Sequence, residues 1–386
     1  MGRMSRPRRG ITAVAVAAAL TATASCTGTP NLQTIQVAEN DCGTGWQNPR
    51  PGEQTLYLRN TGSNPTTVDL IDVGTGAIYA EVVDMGPNTT RGVRVRIGGG
   101  RFAFRCAMEN SDNPMITGPV ITLPGAAAGP AIAPVAPGDL YGPDAQYTAY
   151  VSKGLRQLAI DTDALRADID RGDTAAARTT WLTAHLDYER LGAAYDAFGE
   201  YDDRLDGRAD GLPGGVHDPR FTGFHRMEYG LWHTEPSVDL IGPANRLDTD
   251  VHALVADFPT MQVPIRDLGL RTHEILENTL QFQLTGDADY GSGTTLATAQ
   301  ANVDGTEELL SVLDPLLRTR YSPLPETTTW LHRFRTLLTA QHHDAHWTPV
   351  ADLSEADRQH LDGTLGRLLE YLAPIATICT PRKTFQ

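Results

Sequence analysis

The stretch Pro124-Gly125-Ala126-Ala127-Ala128-Gly129-Pro130-Ala131-Ile132-Ala133-Pro134-Val135-Ala136-Pro137-Gly138 has no apolar periodicity and divides the chain. Pro, Ala and Gly at this density make a semi-stiff linker, which we bound at residues 124–143. On its N-terminal side, Gln33–Ala38, Gln54–Asn60, Thr66–Val73, Ile78–Val83, Arg91–Ile97, Arg101–Cys106 and Met115–Leu123 are short alternating or β-branched runs. Turn clusters such as Asn60–Pro65, Gly86–Asn88 and Gly98–Gly100 separate them, so residues 27–123 are expected to form a β-sandwich. On the other side the period becomes helical. Tyr147–Arg171, Thr174–Gly199, Asn245–Phe258, Ile265–Thr285, Thr294–Leu317, Glu326–His343 and Glu355–Thr377 carry apolar residues at three-and-four spacing. Long helices with short connections predict an antiparallel bundle, or two fused bundles, over residues 144–386.

Further outward, Arg3, Arg6, Arg8 and Arg9 precede an apolar run from Ile11 to Leu20, then small residues and Cys26. This is the pattern of an export signal over residues 1–26, too short in its apolar part to span a bilayer. Arg8-Arg9 is compatible with twin-arginine export as well as Sec. Thr23-Ala24-Ser25-Cys26 is a loose lipobox, with Thr23 where Leu is usual. It marks Cys26 for lipidation, simple secretion being the alternative.

The 32 Lys and Arg against 47 Asp and Glu give a formal charge of −15, which argues against general nucleic-acid binding. The signal hides four negative units, since its four Arg have no acid beside them. Residues 26–123 carry only −2, and the 38 acids and 21 bases beyond them put −17 on the helical part. Cations should therefore collect there.

No His precedes His185, which closes a two-His, one-Cys copper site to the N-terminal body. Cys42 and Cys106 either form a disulfide, as export permits, or act as thiolates with Asp41, Glu81, Glu109, Met85 or Met108 nearby. Cys379 reads as a buried free thiol.

In the helical part, Gly223-Phe224-His225-Arg226-Met227-Glu228 is the sharpest local feature. Positions three apart share a helix face, so His225 and Glu228 can offer an imidazole and a carboxylate to one metal. A surface pair is the bland alternative. Context favours metal: His185 and Glu189 are four apart, Asp187, Asp202, Asp203 and Asp206 are close in sequence, and His273-Glu274-Ile275-Leu276-Glu277 adds carboxylates. Bundles build iron and manganese sites from such inward groups. The absence of H-E-x-x-H disfavours a zincin protease. A His342/His346 pair is a weaker candidate beside an exposed helix end.

The segment from Trp181 to Trp232 resembles the EfeO/imelysin-like family of exported bacterial proteins. The resemblance rests on Trp181-Leu182-Thr183-Ala184-His185-Leu186-Asp187-Tyr188-Glu189 and on Gly223-Phe224-His225-Arg226-Met227-Glu228-Tyr229-Gly230-Leu231-Trp232. It continues through His273–Glu277, Tyr290-Gly291-Ser292-Gly293 and Ala301–Thr306, and covers most of residues 144–380. The N-terminal body is similar to the cupredoxin-type domain of full-length members.

The resemblance implies a cupredoxin-like β-sandwich followed by an imelysin-like double four-helix bundle. It also implies a monomeric, periplasmic or surface lipoprotein, held to the membrane only through its lipid. Such a protein captures iron, Fe(II) or Fe(III), for a membrane ferrous permease that works alongside an exported haem peroxidase. Its implied metal residues are Glu189, Asp206, His225, Glu228 and Glu274. Many members carry a further Glu at the position of Gly192, a ligand that water or Glu277 would replace here. Cys42, Glu81 and Cys106 match a proposed second site for copper or zinc, with Arg101 in place of a family carboxylate. Two rival functions remain: a metallopeptidase, in which Glu228 is general base toward metal-bound water, and a haem- or polymer-binding module.

Overall fold

The computed structural model describes residues 34–108, 115–344 and 346–382, so the export signal, Cys26 and Glu109 lie outside the described residues. The N-terminal body contains β1 (Thr34–Ala38), β2 (Asp41–Thr44), β3 (Gly52–Asn60), β4 (Thr66–Asp72), β5 (Ile78–Met85), β6 (Thr90–Ile97), β7 (Gly100–Met108), β8 (Met115–Thr117) and β9 (Ile121–Leu123). One sheet runs β2-β1-β3-β6 and the other β5-β4-β7-β8, with β9 also on β7. The alternation seen in the sequence points Val37, Leu58, Leu70, Ile97, Phe102 and Phe104 into a common core between the sheets. The expected strand Met115–Leu123 is split in two. Pro119 has no N–H to give the ladder, and Gly118 lies so close to β2 that a Cβ would sit 1.7 Å from the Cys42 carbonyl oxygen.

Cys42 on β2 and Cys106 on β7 form a disulfide that joins the two sheets, with Cα atoms 5.9 Å apart. This corrects the expected second metal site at Cys42, Glu81 and Cys106: bonded sulfurs are not thiolates and cannot ligate as such. Glu81 on β5 is engaged as well. Its two oxygens accept from Arg382 at 3.2 and 3.1 Å, and the buried guanidinium also donates to the Thr377 and Thr380 carbonyls. A carboxylate held in a two-bond fork by arginine is matched in charge and geometry. The sandwich therefore offers neither the thiolates nor the free carboxylate that copper or zinc would need there.

The linker is shorter than expected and is pinned. Ile132 pairs with Ile78, buried Val135 pairs with Pro381, and helix begins by Pro137. The helical body comprises α1 (Tyr141–Asp170), α2 (Thr174–Glu189), α3 (Tyr195–Phe198), α4 (Glu200–Leu205), α5 (Gly223–Trp232), α6 (Ser237–Asp257), α7 (Leu268–Asn278), α8 (Thr295–Arg320), α9 (Leu324–Thr339) and α10 (Glu355–Cys379). Helices α1, α2, α5 and α6 pack as one four-helix group and α7, α8, α9 and α10 as another, with α1 and α2 meeting α8 between them. One continuous apolar core, including Trp181, Leu158, Leu313 and Leu368, runs through both groups. Among the described residues no helix is long and apolar enough to cross a membrane.

Two predicted helices are interrupted, and both interruptions matter for the site. The Thr174–Gly199 pattern breaks after Glu189, and a turn through Gly192 lets Tyr195 stack on Tyr188 at 4.9 Å. The Ile265–Thr285 pattern ends as α7 and widens into a π-turn over Thr279–Gln283, closed by the Leu284 N–H on the Thr279 carbonyl at 3.0 Å. Such turns recur at functional sites because they push side chains out of helical register.

Candidate metal centre

Helix α2 is started by Asp173, whose side chain accepts from the Ala176 N–H, and its buried face presents Trp181, His185, Tyr188 and Glu189. Helix α5 crosses it, fixed by the Trp181 Nε1–H donating to the Phe224 carbonyl at 2.9 Å. The start of α5 demands glycine. Gly223 has φ +78°, and a Cβ there would lie 2.1 Å from the Leu205 carbonyl oxygen. That close approach seats His225 against Asp206, the residue that ends α4.

Four side chains converge. His185 Nε2 lies 3.2 Å from Glu189 Oε1 and 3.4 Å from Asp206 Oδ1, and His225 Nε2 lies 3.5 Å from the same Asp206 oxygen. His185, Asp206 and His225 each place a donor atom within 4.8 Å of the other two. His185, Glu189 and His225 are all buried. Yet His185 Nε2 and Asp206 Oδ1 make no aligned hydrogen bond; they approach their neighbours at ion-pair distance only. Buried polar atoms are rarely left so, which is what donor atoms aimed at a common centre look like. Two imidazoles and two carboxylates fit a first-row cation.

Around these four stands a supporting layer. Glu228 Oε1 accepts from the Tyr290 N–H at 3.1 Å and the Ser292 N–H at 3.0 Å, and Oε2 faces His225 Nδ1 at 3.4 Å. Glu228 is thereby placed to accept from the Nδ1–H of His225 and leave Nε2 turned toward Asp206, the arrangement metal-binding histidines use. Asn302 on α8, with its amide nitrogen facing Glu189, donates to Oε2 at 2.9 Å. The Tyr188 hydroxyl donates to Asp202 at 2.5 Å.

The charges are mutually dependent. Burial opposes a charge on His185, but Asp206 and Glu189 outweigh it and hold its imidazolium up to about 10. Burial raises the Glu189 carboxyl, and the Asp206 charge raises it further. Asp206 goes the other way: despite burial, His225 and His185 keep it below the usual carboxylate range. Burial lifts Asp202 to about 7, against the hydrogen bond from Tyr188. A metal at this point would supply the positive charge that the Glu189 and Asp206 carboxylates now draw from His185.

Of the expected ligands, Glu189, Asp206 and His225 come together. Glu228 stands behind His225, and its remaining oxygen is occupied by two backbone N–H groups. Glu274 lines the cleft that opens from the cluster but is paired with Arg271, which also holds Asp196. Its partner three residues earlier on the same helix face balances its charge. Glu277 does not replace the carboxylate missing at Gly192 either, since it is half exposed and lies 3.5 Å from His273. Gly192 itself lines the cleft. His185 was not among the expected ligands, although its four-residue spacing from Glu189 was the signal that would have found it. His342 and His346 sit on an exposed two-stranded hairpin, where His342 stacks on Trp347. A second cluster of Asp163, Asp248 and His252 already has a cation, because Arg166 bridges both carboxylates.

If Glu228 orients His225, Glu228→Gln is expected to turn an amide N–H toward Nδ1 and force the proton onto Nε2. Metal affinity should fall by about 10- to 100-fold while Tm stays nearly unchanged. Paired titrations and thermal melts check both.

Residues 144–329 match the family model described as imelysin, whose label also places it among peptidases. The chain is 27% identical over 308 residues to the "Iron uptake system component EfeO" of Yersinia pestis, covering 77% of this chain and 78% of that one. It is 29% identical over 237 residues to the protein of the same name from Escherichia coli O1:K1, covering 59% and 61%.

Proposed function

Starting from a chain of the EfeO/imelysin-like family, we propose that it is an exported iron-binding component of an iron-uptake system, with iron as its cargo. The observation that carries this reading is the convergence of His185, Glu189, Asp206 and His225, in which His185 Nε2 and Asp206 Oδ1 lack aligned hydrogen-bond partners. Hard carboxylates with imidazoles suit Fe(II), Fe(III), manganese or zinc, so the choice of iron rests on the relatives' names. The −17 carried beyond residue 123 speeds cation capture, with a benefit that falls as salt rises. In this reading Cys26 anchors the protein by lipid outside the cytoplasm. The bound iron passes to a membrane ferrous permease that works with an exported haem peroxidase.

Metallopeptidase activity is the second reading, since the family label names peptidases. A general base toward metal-bound water needs a free carboxylate oxygen facing the metal. Glu228 has one oxygen on two backbone N–H groups and the other on His225, which suits orientation and not proton abstraction.

The test is metal analysis of protein purified without tags or chelators, followed by stripping and reloading. The expected result is one iron per chain, regained on reloading, with no peptide cleavage in either state. A chain that takes up no iron, or one that cleaves peptides only when loaded, would overturn the proposal.

A further inference from the structure

The cleft beside the cluster contains more than a bare ion needs. Its volume is about 270 Å³, room for about nine waters at about 30 Å³ each. A metal held by four protein groups keeps only one or two open positions. The same cleft is lined by a cation, Arg208, two residues beyond Asp206. Its guanidinium lies 4.0 Å over the Phe282 ring. Among the described residues the carboxylate within ion-pair reach is that of Asp210, at 3.9 Å and itself 68% exposed. The other arginine of the cleft, Arg271, is already held by Asp196 and Glu274. Gln283 also lines the cleft, and its Oε1 is buried without a hydrogen-bond partner.

Beside a bare cation, Arg208 is purely repulsive. An anion bound to the metal changes that sign. Resting on the iron-binding reading above, we infer that the metal is taken up together with a small dicarboxylate that ligates it, and that Arg208 pairs with the carboxylate turned away from the metal. The charges support this. A trivalent ion is balanced by Glu189, Asp206 and the Glu228 behind His225, so Arg208 adds one positive charge that the carboxylate turned away from the metal offsets. Arginine is the side chain whose fork matches a carboxylate. Gln283 Oε1 then accepts from a water or hydroxyl of the complex.

The test titrates the full chain anaerobically with Fe(II) and, in parallel, with Fe(III). Each series is run alone, with radiolabelled malonate, and with inorganic phosphate, and is corrected for complexes in solution. Malonate is expected to raise iron affinity about 10-fold, within the range of ordinary coupling between two ligands, with one malonate retained per iron. Arg208→Gln should lose that gain and the retained malonate, while binding iron alone at least as well as the parent. Arg208→Lys should keep part of the gain.

Iron bound without retained malonate, an undiminished gain in Arg208→Gln, or an equal effect of phosphate would each overturn the inference. Those results leave the iron-binding reading standing so long as His225→Ala loses iron. A parent chain that binds no iron in any arm sinks both.

Discussion

Replacing His225 with alanine is expected to weaken iron binding by about 100-fold or more while the helical body stays folded. Loss of a group that only orients a ligand typically costs 10- to 100-fold, so loss of a ligand should cost at least the upper end of that range. His225 contributes Nε2 beside Asp206, and its removal also strands Glu228, a buried carboxylate held down by His225 and the Ser292 N–H despite burial. Leaving Glu228 without its imidazole costs about 1–3 kcal/mol of stability, too little to unfold a body of this size. Iron titration by equilibrium dialysis, read beside far-UV circular dichroism, separates the two effects. Unchanged affinity in a folded variant would remove His225 from the site. Glu189→Ala should behave similarly, since Glu189 lies 3.2 Å from His185 and is held by Asn302.

The second large effect concerns the sandwich. Cys42→Ser with Cys106→Ser removes a bridge across 64 residues, for which the chain-entropy relation gives about 4 kcal/mol. A domain of this length rests on a margin of similar size, so the sandwich of the double variant should unfold at much lower denaturant. The helical body, with its own core, should keep its transition and its iron stoichiometry. Denaturant unfolding followed at two wavelengths, one of them sensitive to Trp46 against Phe104, resolves the two bodies. If the cysteines were ligands instead, the double variant would lose a metal and little stability.

The plan of two bodies was legible because each half keeps one period throughout, and the Pro/Ala/Gly stretch marks the change. What the pattern missed follows from physics that periodicity does not carry. Strand β2, Asp41-Cys42-Gly43-Thr44, shows no alternation, and the disulfide and its neighbours hold it in the sheet. The π-turn at Thr279–Gln283 is invisible because its residues continue the apolar spacing of α7. It is nevertheless what brings Phe282 and Gln283 to the cleft.

The site was legible to the same degree. His225 and Glu228 share a face at three-residue spacing, and the resemblance supplied Glu189 and Asp206. Spacing alone could not separate a metal ligand from the group behind it. That distinction for Glu228 depends on the Tyr290 and Ser292 N–H groups, more than 60 residues away in sequence. The Glu274–Arg271 pair could have been foreseen from sequence, since Arg271 precedes Glu274 by three positions on the same face. The Cys pair could not, because a separation of 64 residues carries no information about distance in the fold.

Anomalous scattering at the iron edge, from crystals grown with iron, would locate the metal without reference to any variant. With the metal centre between α2 and α5, the expectation is one strong peak bounded by His185, Glu189, Asp206 and His225, and none beside Glu81 or the Cys42–Cys106 bridge. A peak at the sandwich, a peak at Asp163, Asp248 and His252, or a loaded crystal without a peak between α2 and α5 would contradict it.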